Sequence, residues 1–175
     1  SARGLAKCVT IEIMNIWRLI THHEDADGAL AWSRQNGRIA IGWGKIGDLR
    51  HQIFNSSKEI GAIIRQYYPE LNNSGLGGIS LWNFYSQMQK GDLVILSSSR
   101  PRQLVVEVQG EYEYSAIPKI NGVELSGHYQ HQRRIKVSEW NPEKLWQLAG
   151  ARPATGQNIR QTLIKCARPL SQENS

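Results

Sequence analysis

Residues 91–114 read Gly91-Asp92-Leu93-Val94-Ile95-Leu96-Ser97-Ser98-Ser99-Arg100-Pro101-Arg102-Gln103-Leu104-Val105-Val106-Glu107-Val108-Gln109-Gly110-Glu111-Tyr112-Glu113-Tyr114, and this stretch decides the fold class. A Gly-Asp turn opens a short apolar strand over 93–96, and a polar loop follows. A long strand, Gln103 to Tyr114, comes next, rich in β-branched and aromatic residues and bent at Gly110. His128–Val137 reads as a further strand. Upstream, Asn15–Thr21 is a strand with Ile16, Arg18 and Ile20 on one face and Trp17 and Leu19 on the other. A helix capped by Asp25 or Asp27 runs to about Gln35 and stops at Asn36-Gly37, and Arg38–Trp43 is a second strand. Ser56 and Glu59 have capping-box spacing before a helix whose apolar face is Ile60, Ile63, Ile64 and Tyr67. Residues 72–78 read as a flexible connection. Ser80–Gln89 reads as a helix burying Leu81, Phe84, Tyr85 and Met88. Segment 115–127 is a loop, Pro142 starts a helix to Leu148, and a tail helix is predicted from Thr155 to about Cys166. Long strands gathered late in the chain predict a small, curved, barrel-like α+β domain, with a mixed sheet flanked by helices, rather than a doubly wound parallel sheet.

The 175 residues suit one domain: 14–150, preceded by an extension over 1–13 and followed by a basic, helical tail over 151–175. No apolar run approaches the roughly 20 residues of a membrane-spanning helix, and no signal-peptide pattern opens the chain. Two cysteines, Cys8 and Cys166, are too few for a disulfide framework or a structural zinc site. A reducing, cytoplasmic setting is therefore expected, with no membrane contact and no cofactor. Net charge is +6, from 21 Lys and Arg against 15 Asp and Glu, which suits a polyanionic partner. Six Trp and six Tyr stand against two Phe, so most aromatics carry a polar handle suited to wet surfaces.

Among possible sites, Ile41-Gly42-Trp43-Gly44-Lys45-Ile46-Gly47-Asp48-Leu49 places a tryptophan between glycines at a strand end. Such a ring either stacks on a ligand or caps the core. GWGKIG matches neither GxGxxG nor a P-loop, so nucleoside triphosphate binding is disfavoured. Asp92 and Glu107 on neighbouring strands resemble part of a magnesium nuclease site, but Gln109 stands where such a site needs lysine. His22-His23 and His128-x-x-His131 point to opposite faces of an extended chain and do not converge on a metal. Basic groups at Arg100, Arg102, Arg133, Arg134 and Lys136 interleave with Tyr112, Tyr114, Tyr129 and Trp140, a pattern suited to phosphates. Arg152, Arg160, Lys165 and Arg168 load the tail.

Taken in order, Trp17-Arg18-Leu19-Ile20, Ile39-Ala40-Ile41-Gly42-Trp43-Gly44, Met88-x-x-Gly91-Asp92-Leu93-Val94-Ile95, Val106-Glu107-Val108-x-Gly110-x-Tyr112-x-Tyr114 and His131-x-Arg133-x-Ile135-Lys136-Val137 resemble the EVE/YTH-like branch of the PUA superfamily. Over residues 15–140 the pattern is similar to the N-terminal reader domains of Mrr- and McrBC-type modification-dependent restriction proteins. The resemblance implies a PUA-like curved sheet with an aromatic pocket for one flipped-out, often methylated base. It assigns one pocket wall to Trp43, the other walls to Trp17, Trp82, Tyr112 and Tyr114, and an acceptor for the base edge to Asp48. Lys45, Arg100, Arg102, Arg133, Arg134 and Lys136 are the expected backbone contacts. The expected function is a non-enzymatic reader of double-stranded DNA bearing a modified base, serving a nuclease or motor subunit of a restriction system. An RNA-binding PUA-like module, a degenerate nuclease using Asp92 and Glu107, and a protein-interaction domain are the alternatives.

Overall fold

The computed structural model describes residues 10–22, 25–97, 101–115 and 129–174. Its elements are β1 (Thr10–Met14), β2 (Ile16–Ile20), α1 (Ala26–Asn36), β3 (Arg38–Ile41), α2 (Ser57–Tyr67), α3 (Ser74–Trp82), β4 (Leu93–Ser97), β5 (Arg102–Val108), β6 (Glu113–Tyr114), β7 (His131–Val137), α4 (Pro142–Leu148), β8 (Leu163–Lys165) and β9 (Leu170–Asn174). A seven-stranded sheet runs β3-β7-β5-β4-β2-β8, with β6 also pairing to β7. Among the described residues only β2 and β4 pair in parallel within it. The sheet curls strongly into a half-barrel flanked by helices, so the chain is α+β. β1 and β9 form a separate antiparallel ribbon.

Strand alternation splits the core into two layers. Trp17, Leu19, Val94, Leu96, Val106 and Val108 pack on one face with Ile60 and Ile64 of α2 and Leu81 of α3. Ile16, Leu93, Ile95, Val105 and Ile164 pack on the other face with Leu145 and Trp146 of α4. α1 starts where Asp25 accepts from the Gly28 amide and ends where Gly37, at φ 62°, donates to the Ser33 carbonyl. In α2 the expected capping box does not form; its glutamate reaches one residue further back. Glu59 Oε2 accepts from the Asn55 amide at 2.6 Å, while Ser56 makes no side-chain cap. The buried tyrosine of this helix end is Tyr68, not the expected Tyr67, which is half exposed.

Four expectations are corrected. Residues 74–78 are not a flexible connection but the first turns of α3. Their glycines serve close packing: a Cβ on Gly78 would sit 2.7 Å from the Gly61 nitrogen and the Ser57 oxygen of α2. The helix expected over Ser80–Gln89 does not run on to Gln89, because a π turn takes over at Asn83–Gln87. The long strand over 103–114 is broken at 109–112, where the Gln109 and Gly110 amides both donate to the Arg134 carbonyl. The tail is not a helix. Thr155–Gln161 is turns, and β8 adds an antiparallel edge to β2, because Leu163 and Ile164 each bury a side chain in a different core layer.

Two turns are held by buried polar side chains. Asp92 is 3% exposed, and its carboxylate accepts from the Trp17 indole at 2.9 Å and from the Asn15 and Gln89 amides. Arg133 is also 3% exposed; its Nε donates to the Gly110 carbonyl and its Nη1 to those of Phe84 and Met88.

The helix contact gives opposite signs for two glycines of α3. Gly78→Ala must push backbone aside and is expected to cost roughly 1–3 kcal/mol. Gly75 faces open space, so Gly75→Ala should be neutral or stabilise by up to about 1 kcal/mol. Urea unfolding of the two variants checks this, and equal effects would contradict the packing role.

Candidate functional site

After β3 the chain makes two 3-10 turns, Gly44–Ile46 and Leu49–His51. Trp43 enters the first with φ 66°, a conformation that non-glycine residues adopt only when surroundings hold it. His131 Nε2 donates to the Trp43 carbonyl at 3.1 Å, the Tyr114 hydroxyl donates to the Gly44 carbonyl at 2.7 Å, and the Lys45 amide donates to the Tyr68 hydroxyl. His131 Nδ1 then accepts from the Tyr112 hydroxyl at 2.6 Å, and that hydroxyl accepts from the Leu49 amide. The donors and acceptors close only with a neutral imidazole protonated on Nε2. Burial drives the His131 pKa down to about 4, against the opposing pull of the Trp43 carbonyl and Asp48.

Beside this network lies an open groove of about 860 Å3. One wall is the end of α3 and the π turn, with Trp82, Tyr85 and Ser86. The opposite wall is the 50–54 segment, with Arg50, Ile53 and Phe54, and Tyr112, Met88 and Arg133 also line it. The Tyr85 and Tyr112 rings meet edge to face, 4.9 Å between centroids. The Arg50 guanidinium lies 5.8 Å from the Tyr112 ring centroid. Lys90 and Glu111 stand at the groove, 3.9 Å apart. Aromatic faces with cations at the margin suit a planar, electron-rich ring attached to an anion.

Of the expected pocket residues, the fold brings Trp82 and Tyr112 into this groove and keeps the others out. Trp17 is fully buried and bound to Asp92, so it is core and no pocket wall. The Trp43 ring packs on α3, where a Cβ on Gly77 would meet its Cζ2 at 2.9 Å. Tyr114 sets its ring edge on His131, outside the groove. Asp48 accepts from the Arg50 guanidinium at 2.7 Å. That bond lowers its pKa and engages the edge expected to receive a base.

The expected phosphate contacts also redistribute. Arg133 is buried and holds three carbonyls, so it presents no charge to solvent. Arg102 pairs with Glu143 and lies 4.3 Å over the Trp146 ring, on the α4 face. Arg134 pairs with Glu113 at 3.9 Å and Lys136 with Glu107 at 3.3 Å. Lys45 stays exposed, its ammonium 5.2 Å from the Tyr68 ring centroid. Arg100 and His128 lie outside the described residues. The Asp92 and Glu107 pair assembles no metal site: Asp92 meets three buried donors, and Glu107 is taken by Lys136 and Gln109. Among the described residues no group of three or more His, Cys, Asp or Glu converges on a metal position, and no helix is long and apolar enough to cross a membrane.

Sequence reasoning missed Arg50, Phe54 and Tyr85. Tyr85 reads as part of a buried helical face, and the π turn, which adds a residue and rotates the ring outward, leaves no sequence signal. Arg50 follows Asp48 by two residues, a spacing that suggests their pairing only once the 3-10 turn is known.

A family model described as a domain of unknown function (DUF8426) matches residues 17–149. No curated protein matches the chain.

The neutral imidazole carries a pH signature. Unfolded, His131 takes a proton near pH 6.5; folded, it does so only near 4. Its contribution to stability is therefore complete above pH 6.5 and lost as pH falls from there towards 4, by up to about 3 kcal/mol. Urea unfolding at pH 7 and 4.5 should show the fall, and His131→Gln should flatten it. A wild-type profile that is flat across that window would mean that the imidazole is not held neutral.

Proposed function

For a chain that belongs to the DUF8426 family, we propose a non-enzymatic role in nucleic-acid recognition: a reader that receives one extruded base of DNA, a modified one, in the groove between Trp82 and Phe54. The observation that carries this reading is the lining itself, four aromatic side chains (Phe54, Trp82, Tyr85 and Tyr112) with Arg50 and Lys90 at the margin. Stacking on such rings is worth about 1–3 kcal/mol per base, against a few kcal/mol for taking the base out of the helix, and phosphate contacts supply the rest. Extrusion costs least for a base whose pairing is already weakened, which favours modified or damaged positions. The lining carries one carboxylate, Glu111, and no histidine or cysteine, so binding is better served here than acid–base or nucleophilic chemistry. This reading keeps the EVE/YTH-like expectation of a base pocket in a curled sheet. It moves the pocket from Trp43 to the groove of Trp82, Tyr85 and Tyr112, and leaves cleavage to a nuclease or motor partner.

The test is a binding panel of otherwise identical duplexes with unmodified cytosine, 5-methylcytosine, 5-hydroxymethylcytosine or N6-methyladenine, alongside single-stranded RNA of the same sequence. One modified duplex should bind tighter than the unmodified one. Trp82→Ala and Tyr85→Ala, both half-buried, should weaken that duplex about tenfold each, removing most of the preference with little change in melting temperature. Trp43→Ala should instead lower the melting temperature and leave the preference intact. Equal binding of all duplexes, unaltered by Trp82→Ala, overturns the reading. Tighter binding of the RNA, sensitive to the same two variants, replaces it with the RNA-binding module.

A further inference from the structure

Residues 144–172 hold no Asp or Glu but five basic residues, Lys144, Arg152, Arg160, Lys165 and Arg168, against a net charge of +6 for the whole chain. Because this segment is not a helical tail, its charges are fixed on the body of the domain. β8 is the edge of the seven-stranded sheet. Pro153 bridges to Cys166, the Ala167 amide donates to the Arg152 carbonyl, and the Arg168 side chain runs over Gly150. Arg152, Arg160 and Arg168 are exposed and Lys165 is half-buried. None of the four has an ion-pair partner among the described residues, a state they share with Arg34, Lys45, Lys58, Arg65 and Lys144 but not with Arg38, Arg50, Lys90, Arg102, Arg134 and Lys136. What sets the four apart is that they gather on one sheet edge in a segment without carboxylates.

A second cation lies beneath. Arg18 is 8% exposed, and its Nη2 donates to the carbonyls of Ile159 and Gln161, the two residues flanking Arg160. It too has no carboxylate partner among the described residues, and its Nε meets no acceptor. A buried guanidinium without a counter-charge adds to the positive field over this edge and holds the loop that presents Arg160. The same edge is tied to the groove. Asn83, next to Trp82, donates its side-chain amide to Gln157 Oε1 at 2.9 Å and to the Leu163 carbonyl.

We infer that the β8 edge, with Arg152, Arg160, Lys165 and Arg168 set on it and Arg18 below, is the surface that holds the phosphate backbone of the duplex. The inference rests on the reader reading of the groove and names its second contact surface. Unpaired cations gain most from a phosphate, because no existing ion pair must break, and each contact releases condensed counterions. Asn83 bonds this edge directly beside Trp82, so a duplex held at the edge sits next to the groove that receives the extruded base.

The test uses a short unmodified duplex, which needs no base pocket. Triple substitution Arg152→Gln, Arg160→Gln, Arg168→Gln should weaken its binding at least tenfold at low salt. The slope of log affinity against log salt should fall by roughly 0.9 for each lost contact. The modified duplex should lose affinity by the same factor, leaving the preference unchanged, and the melting temperature should hold because all three side chains are exposed. Lys165→Gln alone should give a smaller loss in the same direction. Two results overturn the inference: wild-type protein that fails to bind the unmodified duplex at low salt, or a triple variant with unaltered affinity and slope. Failure of the base groove reads differently, as a modified-to-unmodified ratio of one with the effect of the triple variant intact.

Discussion

The buried guanidinium of Arg133 is the tie on which the shape of the groove depends. It reaches from the middle of β7 to the carbonyl of Gly110 in the broken strand and to those of Phe84 and Met88 around the π turn. Those three attachment points set where Tyr112, Tyr85 and Trp82 stand relative to one another. The side chain is too costly to desolvate for any lesser return, and burial lowers its pKa while Asp92 and Glu111 oppose that shift. Asp92 in turn receives the Trp17 indole from β2. One cation and one carboxylate thus join the first strand of the sheet, the π turn and the bend before β6.

A second polar chain fixes the loop after β3. It runs from the Trp43 carbonyl through His131 and the Tyr112 hydroxyl to the Leu49 amide. It explains how Trp43 keeps its left-handed backbone, and it spans the two 3-10 turns that carry Arg50 to the groove margin. Tyr112 belongs to both systems, with its ring in the groove and its hydroxyl in the network. Burial raises its pKa, so the phenol keeps the proton that it donates to His131.

Charge is distributed by pairing more than by number. Along β5, β6 and β7 basic and acidic side chains neutralise each other across strands, as Lys136 does with Glu107 and Arg134 with Glu113. Residues 144–172 have no acidic side chains to do the same. A net charge of +6 spread over the chain therefore becomes a local excess along one sheet edge.

The amino-acid sequence by itself determined the α+β class, the two faces of β2, the strand character of β4 and β5, and both ends of α1, because these depend on local period and capping chemistry. It also marked Trp82 and Tyr112, two of the rings that line the groove. Tertiary structure alone decided the rest. Gly77 and Gly78 sit in a stretch whose composition signals flexibility, yet they are glycine because Trp43 and α2 approach too closely for a Cβ. The sequence beyond Thr155 carries helix-compatible residues, yet Leu163 and Ile164 form an edge strand because β2 leaves one side unpaired and each core layer has room for an apolar side chain. Arginine is the plainest case. In the sequence Arg133 and Arg160 are equally good phosphate ligands, and only the fold buries one among three carbonyls and leaves the other exposed and unpaired.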